Sequence, residues 1–238
     1  MGWSRIELHC HSRYSIDGLP EPADILKRAR MLGISAVAVT DHNTMDGYIE
    51  AADAGISGVE LVPAMEIDTR DGEVLALFIK EPVPRDLSLE ETVSAVREQG
   101  GLAVCPHPFD RSRKNSCFPD RHDPALWDAI EVLNAASKDV ASFERARRFA
   151  AEHDIPMLVG SDAHTLAGLG SAVVLFRADS GPVSADAFKD ALRSGKLGFE
   201  GKVFGRHVRL WEDAAKRAKG AGGFVELFFR TLERRLLL

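Results

Sequence analysis

Imidazoles and carboxylates gather at the ends of short apolar runs in this sequence, and divalent metal binding is the chemistry that such a set serves. His9 and His11 close the run that begins at Ile6, Asp41 and His42 follow 36–40, and Glu66 follows 59–64. His107 follows 102–105, and Asp162 with His164 follows 156–159. Neutral imidazole nitrogen and carboxylate oxygen are ligands for zinc, manganese and iron. In His9-Cys10-His11 the alternation of an extended strand points both imidazoles to one side and sends Cys10 to the other; Asp162-Ala163-His164 repeats the device. One His-x-His pair says little, but five unpaired buried imidazoles would be costly to keep for structure alone. His122, His153 and His207 lie off the run ends and read as ordinary polar residues. Asp17 is either a ligand or the head of an Asx turn with Gly18, and Asp41 either touches metal or orients a neighbouring histidine.

The elements that must position these residues alternate. Residues 6–9, 36–40, 59–64, 74–79, 102–105, 129–132 and 156–159 read as strands, and 22–32, 45–54, 87–99 and 139–153 as helices. Strands alternating with helices predict an α/β fold, a parallel sheet or barrel with helices outside. Sites in such folds are built at the C-terminal strand ends, where the candidate ligands fall. From Arg206 two further helices follow, split by Gly220-Ala221-Gly222-Gly223. The economical division is one domain over 1–200 and a helical C-terminal extension over 201–238.

Composition bounds the rest. The chain has 238 residues, 45% of them apolar, enough for a substantial core. A net charge of −6 argues against a generally basic nucleic-acid binder. The balance is uneven, with nine Lys and Arg against four Asp and Glu over 201–238. Three widely spaced cysteines suggest no disulfide framework, and Cys10 and Cys105 read as small core residues. No apolar run is long enough to span a membrane, and the first five residues lead into a strand rather than a leader, so a cytoplasmic location is expected. No glycine-rich phosphate loop points to a kinase or dehydrogenase.

The motifs also resemble those of the PHP (polymerase and histidinol phosphatase) domain family. The stretch from His9-Cys10-His11-Ser12 to Ser15-Ile16-Asp17-Gly18 is similar to its opening motif, and Thr40-Asp41-His42-Asn43-Thr44 to its second. Cys105-Pro106-His107-Pro108 resembles the third and Gly160-Ser161-Asp162-Ala163-His164 the last, while Glu66 matches a bridging glutamate and Glu131-Val132-Leu133-Asn134 a family strand. The resemblance runs from about Ile6 to Leu175. It implies a distorted (βα)7 barrel holding two or three divalent ions, with the identity open among manganese, zinc and iron. His9, His11, Glu66 and Asp162 would hold the first, Glu66 and His107 the second, and Asp17, His42 and His164 the third. One position departs: Asp71-Gly72-Glu73-Val74 stands where the family carries a histidine. Glu73 is either an oxygen ligand, which favours manganese or magnesium, or a plain solvated residue.

Clustered divalent ions suit phosphoryl displacement, which asks mainly for positioning and charge neutralisation. The expected activity is therefore hydrolysis of a phosphate ester by a metal-activated hydroxide, without a covalent protein intermediate. The substrate would be a small phosphorylated metabolite, a nucleotide or an oligonucleotide 5′ end. Glu66, Asp162, His164 and Arg13 are the expected catalytic residues. Arg13, Arg111, Arg113 and Lys114 are candidates for contacting the phosphate, Arg being suited to bidentate binding. The rival readings are an amide hydrolase on the same metals and a non-catalytic metal-binding domain. On the last helix Val225, Phe228, Phe229, Leu232 and Leu236 share a face, which predicts packing on the barrel or on a second subunit of a homodimer.

Overall fold

The computed structural model describes residues 3–177 and 183–238. Met1 and Gly2, the start of the segment read as lacking a leader, lie outside the described residues. The chain runs β1 (Ser4–Cys10), α1 (Pro22–Met31), β2 (Ala36–Val39), α2 (Asp46–Asp53), β3 (Glu60–Val62), β4 (Ala64–Thr69) and β5 (Gly72–Leu77). It continues through α3 (Leu89–Glu98), β6 (Leu102–Cys105), β7 (Ala129–Asn134), α4 (Ala141–Glu152), β8 (Met157–Gly160), β9 (Ala172–Phe176), α5 (Ala185–Arg193) and β10 (Leu197–Gly201). Helices α6 (Arg206–Ala221) and α7 (Gly223–Leu237) complete it. Local chemistry sets the boundaries. Pro22 opens α1, whose chain leaves through Gly33 at φ +68°, and Ser88 with Glu91 forms a capping box on α3.

The strands form two five-stranded sheets, ordered β10-β9-β1-β2-β3 and β4-β5-β6-β7-β8. The expected α/β class is present; among the described residues no closed barrel ladder forms, and the strands divide between these two sheets. Single parallel bridges, Cys10 to Ala163 and His42 to Glu66, are the stitches between the sheets. Strand direction is mixed. Thr69 pairs with Gly72, so β4 and β5 are joined by only two residues and must be antiparallel, since a parallel crossover needs a dozen or more. β5–β6, β1–β9 and β9–β10 are antiparallel as well, while β1–β2–β3 and β6–β7–β8 keep the parallel order. The hairpin also needs glycine. Gly72 has φ +126°, and a Cβ there would lie 2.7 Å from the Cys117 Cα.

Apolar residues of the strands and of the inner helix faces build a single core, with Ile6, Leu8, Ile25, Leu26, Met65, Leu75, Phe176 and Phe188 fully buried. β9, α5 and β10 occupy 172–201, to which the sequence analysis assigns no element. Trp211 on α6 packs near Phe229 on α7 and donates to Glu233 at 2.9 Å, so the two helices form a hairpin. That hairpin lies on the body: Arg28 donates to the Leu237 carbonyl, and Arg230 and Arg234 pair with Glu21 and Asp24 of the α1 segment. No helix among the described residues is long and apolar enough to cross a membrane.

Candidate metal centre

β1 supplies the first part of the site through its alternation. Cys10 turns outward and its thiol donates to the Ala38 carbonyl, while Glu7, His9 and His11 form a fully buried polar row on the other side. His42 follows β2, His107 follows β6, and Asp162 and His164 follow β8. Glu66 departs from the expected strand end. The chain breaks at Pro63, and Glu66 sits inside β4, bridged to His42. Glu73 reaches the same rim because β5 runs backwards, which places its first residues at the end where the parallel strands finish.

The side chains converge on Glu66. Its Oε1 lies 3.4 Å from His9 Nε2 and 3.2 Å from His107 Nε2; its Oε2 lies 3.4 Å from His11 Nε2 and 3.2 Å from His42 Nδ1. Asp162 Oδ1 stands 3.5 Å from His9 Nε2 and 3.2 Å from His11 Nε2. Glu73 is buried beside His107 and His42, with separations of 3.5 and 3.9 Å. Asp17 Oδ1 is 3.1 Å from His164 Nε2 and 3.6 Å from His42 Nε2. Among the described residues four triads have one ligand atom per residue within 4.8 Å of one another: His9-His11-Glu66, His9-His107-Asp162, His11-His42-His164 and His42-Glu66-Glu73.

Hydrogen bonding orients the imidazoles. His9 Nδ1 lies 3.0 Å from Glu131 Oε1, and His164 Nδ1 lies 3.0 Å from the Asp162 carbonyl. Both partners accept, so each Nδ1 carries a proton and each Nε2 is turned into the cluster. His11 Nδ1 meets Ser15 Oγ at 2.9 Å, and that hydroxyl already donates to Asp41 Oδ1. Asp41 also accepts from the Ser12 amide and hydroxyl, so it orders the 12–15 loop and through Ser15 fixes His11. The Nε2 atoms of His9, His11 and His164, with His107 Nδ1 and Asp17 Oδ1, are buried and have no hydrogen-bond partner. Three buried imidazole nitrogens left without partners among carboxylates would be expensive unless cations complete them. The donor set fits divalent ions.

Electrostatics agrees. Burial and the neighbouring Glu66 push the Glu73 carboxyl up to about 10, so it cannot share this space as an anion without added positive charge. Burial, with His164 and His42 beside it, drives His11 down to about 3. Burial opposes ionisation of Asp162, yet the Arg113 guanidinium and His9 hold it well below the usual carboxylate range. His107 and Asp162 have φ of +29° and +51°, a backbone region costing roughly 1–2 kcal/mol for a side chain with Cβ. Two backbone hydrogen bonds of 2.7 Å, His107 N–H to Glu131 Oε2 and Asp162 N–H to the His9 carbonyl, hold that geometry.

Glu131 therefore supports two candidate ligands, and Asn134 donates to it at 2.9 Å and to Asp162 at 3.2 Å. Gly160 makes this approach possible, because a Cβ there would meet Glu131 Oε1 at 2.2 Å and His9 Cβ at 2.5 Å. Gly160→Ala should cost about 1–3 kcal/mol by overpacking. That corresponds to a melting temperature lower by roughly 2–10 °C in a thermal unfolding curve.

Two of the cations expected near the phosphate are not brought to the cluster. Arg13 pairs with Glu21 at 2.6 Å and Glu50 at 2.5 Å and stacks over Tyr14, so two carboxylates on the α1 and α2 side have taken its charge. Arg111 is exposed, and its amide donates to Asp139. Arg113 does reach the centre, held by Asp110, Asn134 and Asp162. It lines a cavity of about 570 Å³ above the cluster together with Lys114, Asp17, His42 and His164. Lys216 of α6 lines it as well and was missed by sequence reasoning. Glu212 was missed too: it accepts from the His164 amide and Thr165. Neither carries a motif, and only helix docking brings them here.

A family model described as the PHP domain matches residues 7–105, and one described as PHP-associated matches 142–197. An uncharacterized protein of Methanocaldococcus jannaschii is 40% identical over 146 residues, covering 57% of this chain and 84% of that protein. The chain belongs to the PHP family. Among solved structures, PsfC from Pseudomonas syringae superposes with a TM-score of 0.70 at 19% identity, covering 91% of this chain and 99% of that one. A two-domain Bacteroides vulgatus protein containing a predicted PHP-like metal-dependent phosphoesterase also gives 0.70, at 18% identity, covering 88% of this chain and 68% of that one. A 5′-3′ exoribonuclease of Haemophilus influenzae is 31% identical over 105 residues, covering 42% of this PHP chain and 38% of the enzyme.

Proposed function

We propose that this protein is a metal-dependent phosphoesterase acting on a small phosphorylated metabolite, a nucleotide or the 5′ end of an oligonucleotide. The observation that carries the reading is the set of partnerless imidazole nitrogens among four carboxylates, beneath a cavity rimmed by cations. His9, His11, Glu66 and Asp162 would hold one divalent ion, Glu66, His107 and Glu73 a second, and Asp17, His42 and His164 a third. Manganese is favoured if Glu73 ligates, since it adds a hard oxygen where an imidazole would suit zinc. Such ions supply Lewis acidity toward phosphoryl oxygens and lower the pKa of water.

The chain's own residues do the rest. Glu131, Ser15 and the Asp162 carbonyl hold the imidazoles with Nε2 turned into the cluster. Arg113 and Lys114 stand at the cavity to neutralise phosphoryl oxygens, as a phosphate ester requires. No protein nucleophile is in evidence among the described residues near the cluster. All three cysteines are buried, burial pushes the thiols of Cys10 and Cys105 far up, and Ser12 and Ser15 are committed to Asp41. Direct attack by water is the consistent course. The exoribonuclease relative supports a nucleotide or RNA end among the substrates.

Purified protein in manganese should release phosphate or nucleotide from a panel of phosphorylated metabolites and short 5′-phosphorylated RNAs, and a chelator should stop it. Turnover of amide or cyclic-amide substrates alone would overturn the proposal. Manganese binding with no hydrolysis of any phosphate ester would favour the non-catalytic reading. Glu73 offers a finer test. Glu73→His should keep or raise the rate, whereas Glu73→Ala should lower rate and metal content by roughly 10–100-fold. Indifference to both changes would remove Glu73 from the ligand set.

A further inference from the structure

We infer that Lys216, on the C-terminal helix α6, is a positioning residue of the metal centre: it holds one carboxylate oxygen of Asp17 so that the other is presented to His42 and His164. The inference rests on the metal-centre reading above. Both family matches end before this helix begins, at residues 105 and 197.

Asp17 sits in the irregular loop after β1, where nothing in regular structure fixes its side chain. Its Oδ2 accepts from Lys216 Nζ at 2.8 Å. Its Oδ1 is buried without a hydrogen-bond partner, 3.1 Å from His164 Nε2 and 3.6 Å from His42 Nε2. One oxygen is thus tethered and the other is left to ligate.

The lysine is held in turn by its helix. Glu212, Lys216 and Lys219 are spaced i, i+4 and i+7, hence on one helical face. Each grips a different part of the site. Glu212 accepts from the His164 amide at 3.2 Å and from Thr165 Oγ1 at 2.8 Å, and Lys219 donates to the Arg13 carbonyl at 2.8 Å. One helix face therefore joins the loop carrying Asp17 to the loop carrying His164. An exposed lysine–aspartate pair contributes little. Here the aspartate is one of the candidate ligands, and outer partners of ligands typically change metal affinity 10–100-fold.

The test is manganese binding to the full chain, read by equilibrium dialysis with elemental analysis. Lys216→Met should weaken one class of bound manganese by roughly 10–100-fold and leave the remainder unchanged. Lys216→Arg, which keeps the charge and the donor, should restore most of that loss, and Arg217→Met, at an exposed position of the same helix, should bind as the unaltered protein does. Asp17→Asn should weaken the same class, and adding Lys216→Met to it should cost nothing more, because the lysine acts through the aspartate. Full-affinity binding of every ion by Lys216→Met would overturn the inference, as would additive losses in the double variant or no manganese binding by the unaltered protein. If Lys216→Met does not fold, judged by circular dichroism, Lys216→Gln takes its place in the same comparison. Because the readout is bound manganese, the result stands apart from whether the chain hydrolyses phosphate esters.

Discussion

Glu66→Ala should abolish measurable phosphate-ester turnover, a loss of roughly 10³-fold or more, beyond the 10–100-fold typical of a ligand's outer partners. Each oxygen of Glu66 faces two imidazoles, His9 and His107 on one side and His11 and His42 on the other. Its removal deprives more than one ion of an anionic donor and leaves a gap at the middle of the cluster. Elemental analysis should show metal content falling with the rate, and Glu66→Gln should behave nearly as badly, since the amide keeps shape and loses charge. His9→Ala and Asp162→Ala should follow the same pattern. Near-normal turnover in any of the three alanine variants would contradict the site.

The second large effect is on stability. Manganese added to chelator-treated protein should raise the melting temperature by roughly 5–10 °C. The arithmetic is linkage: an ion bound only by the folded chain contributes about 2.7 kcal/mol when present at a hundred times its dissociation constant. For a chain of this size each kcal/mol moves the midpoint by roughly 2–4 °C. The physical source is the crowding of Glu66, Glu73, Asp17 and Asp162 around the same imidazoles, which added positive charge relieves. Glu66→Ala should lose most of the shift while its unfolding remains cooperative. Equal melting temperatures with manganese and with chelator would count decisively against a metal centre built into the fold.

The same comparison of local and distant contributions explains what could be read in advance. His-x-His, Asp-x-His and the lone His107 were legible because each is a short pattern tied to one strand end, and strand ends share a rim. The structure brings all nine candidate ligands to that rim. Chain proximity to His11 says nothing of where Arg13 points; Glu21 and Glu50, 8 and 37 residues away, hold its guanidinium. Alternation of strands and helices does not by itself require parallel order throughout. The two residues between β4 and β5 are too few for a crossover, and that signal was present at Asp71-Gly72. The strand at 172–176 is an apolar run that the same reasoning could have found.

By its own pattern the amino-acid order determined which donor atoms this protein possesses and that the histidines His9, His11, His42, His107 and His164 close or follow strands, because ligand chemistry and strand alternation are properties of neighbouring residues. Only the tertiary structure decided that β5 runs backwards to deliver Glu73, that Glu131 pins His9, and that α6 brings Lys216 onto Asp17 across 199 residues. Those contacts depend on how whole elements pack, and packing is set by the summed burial of many side chains rather than by any short run of them.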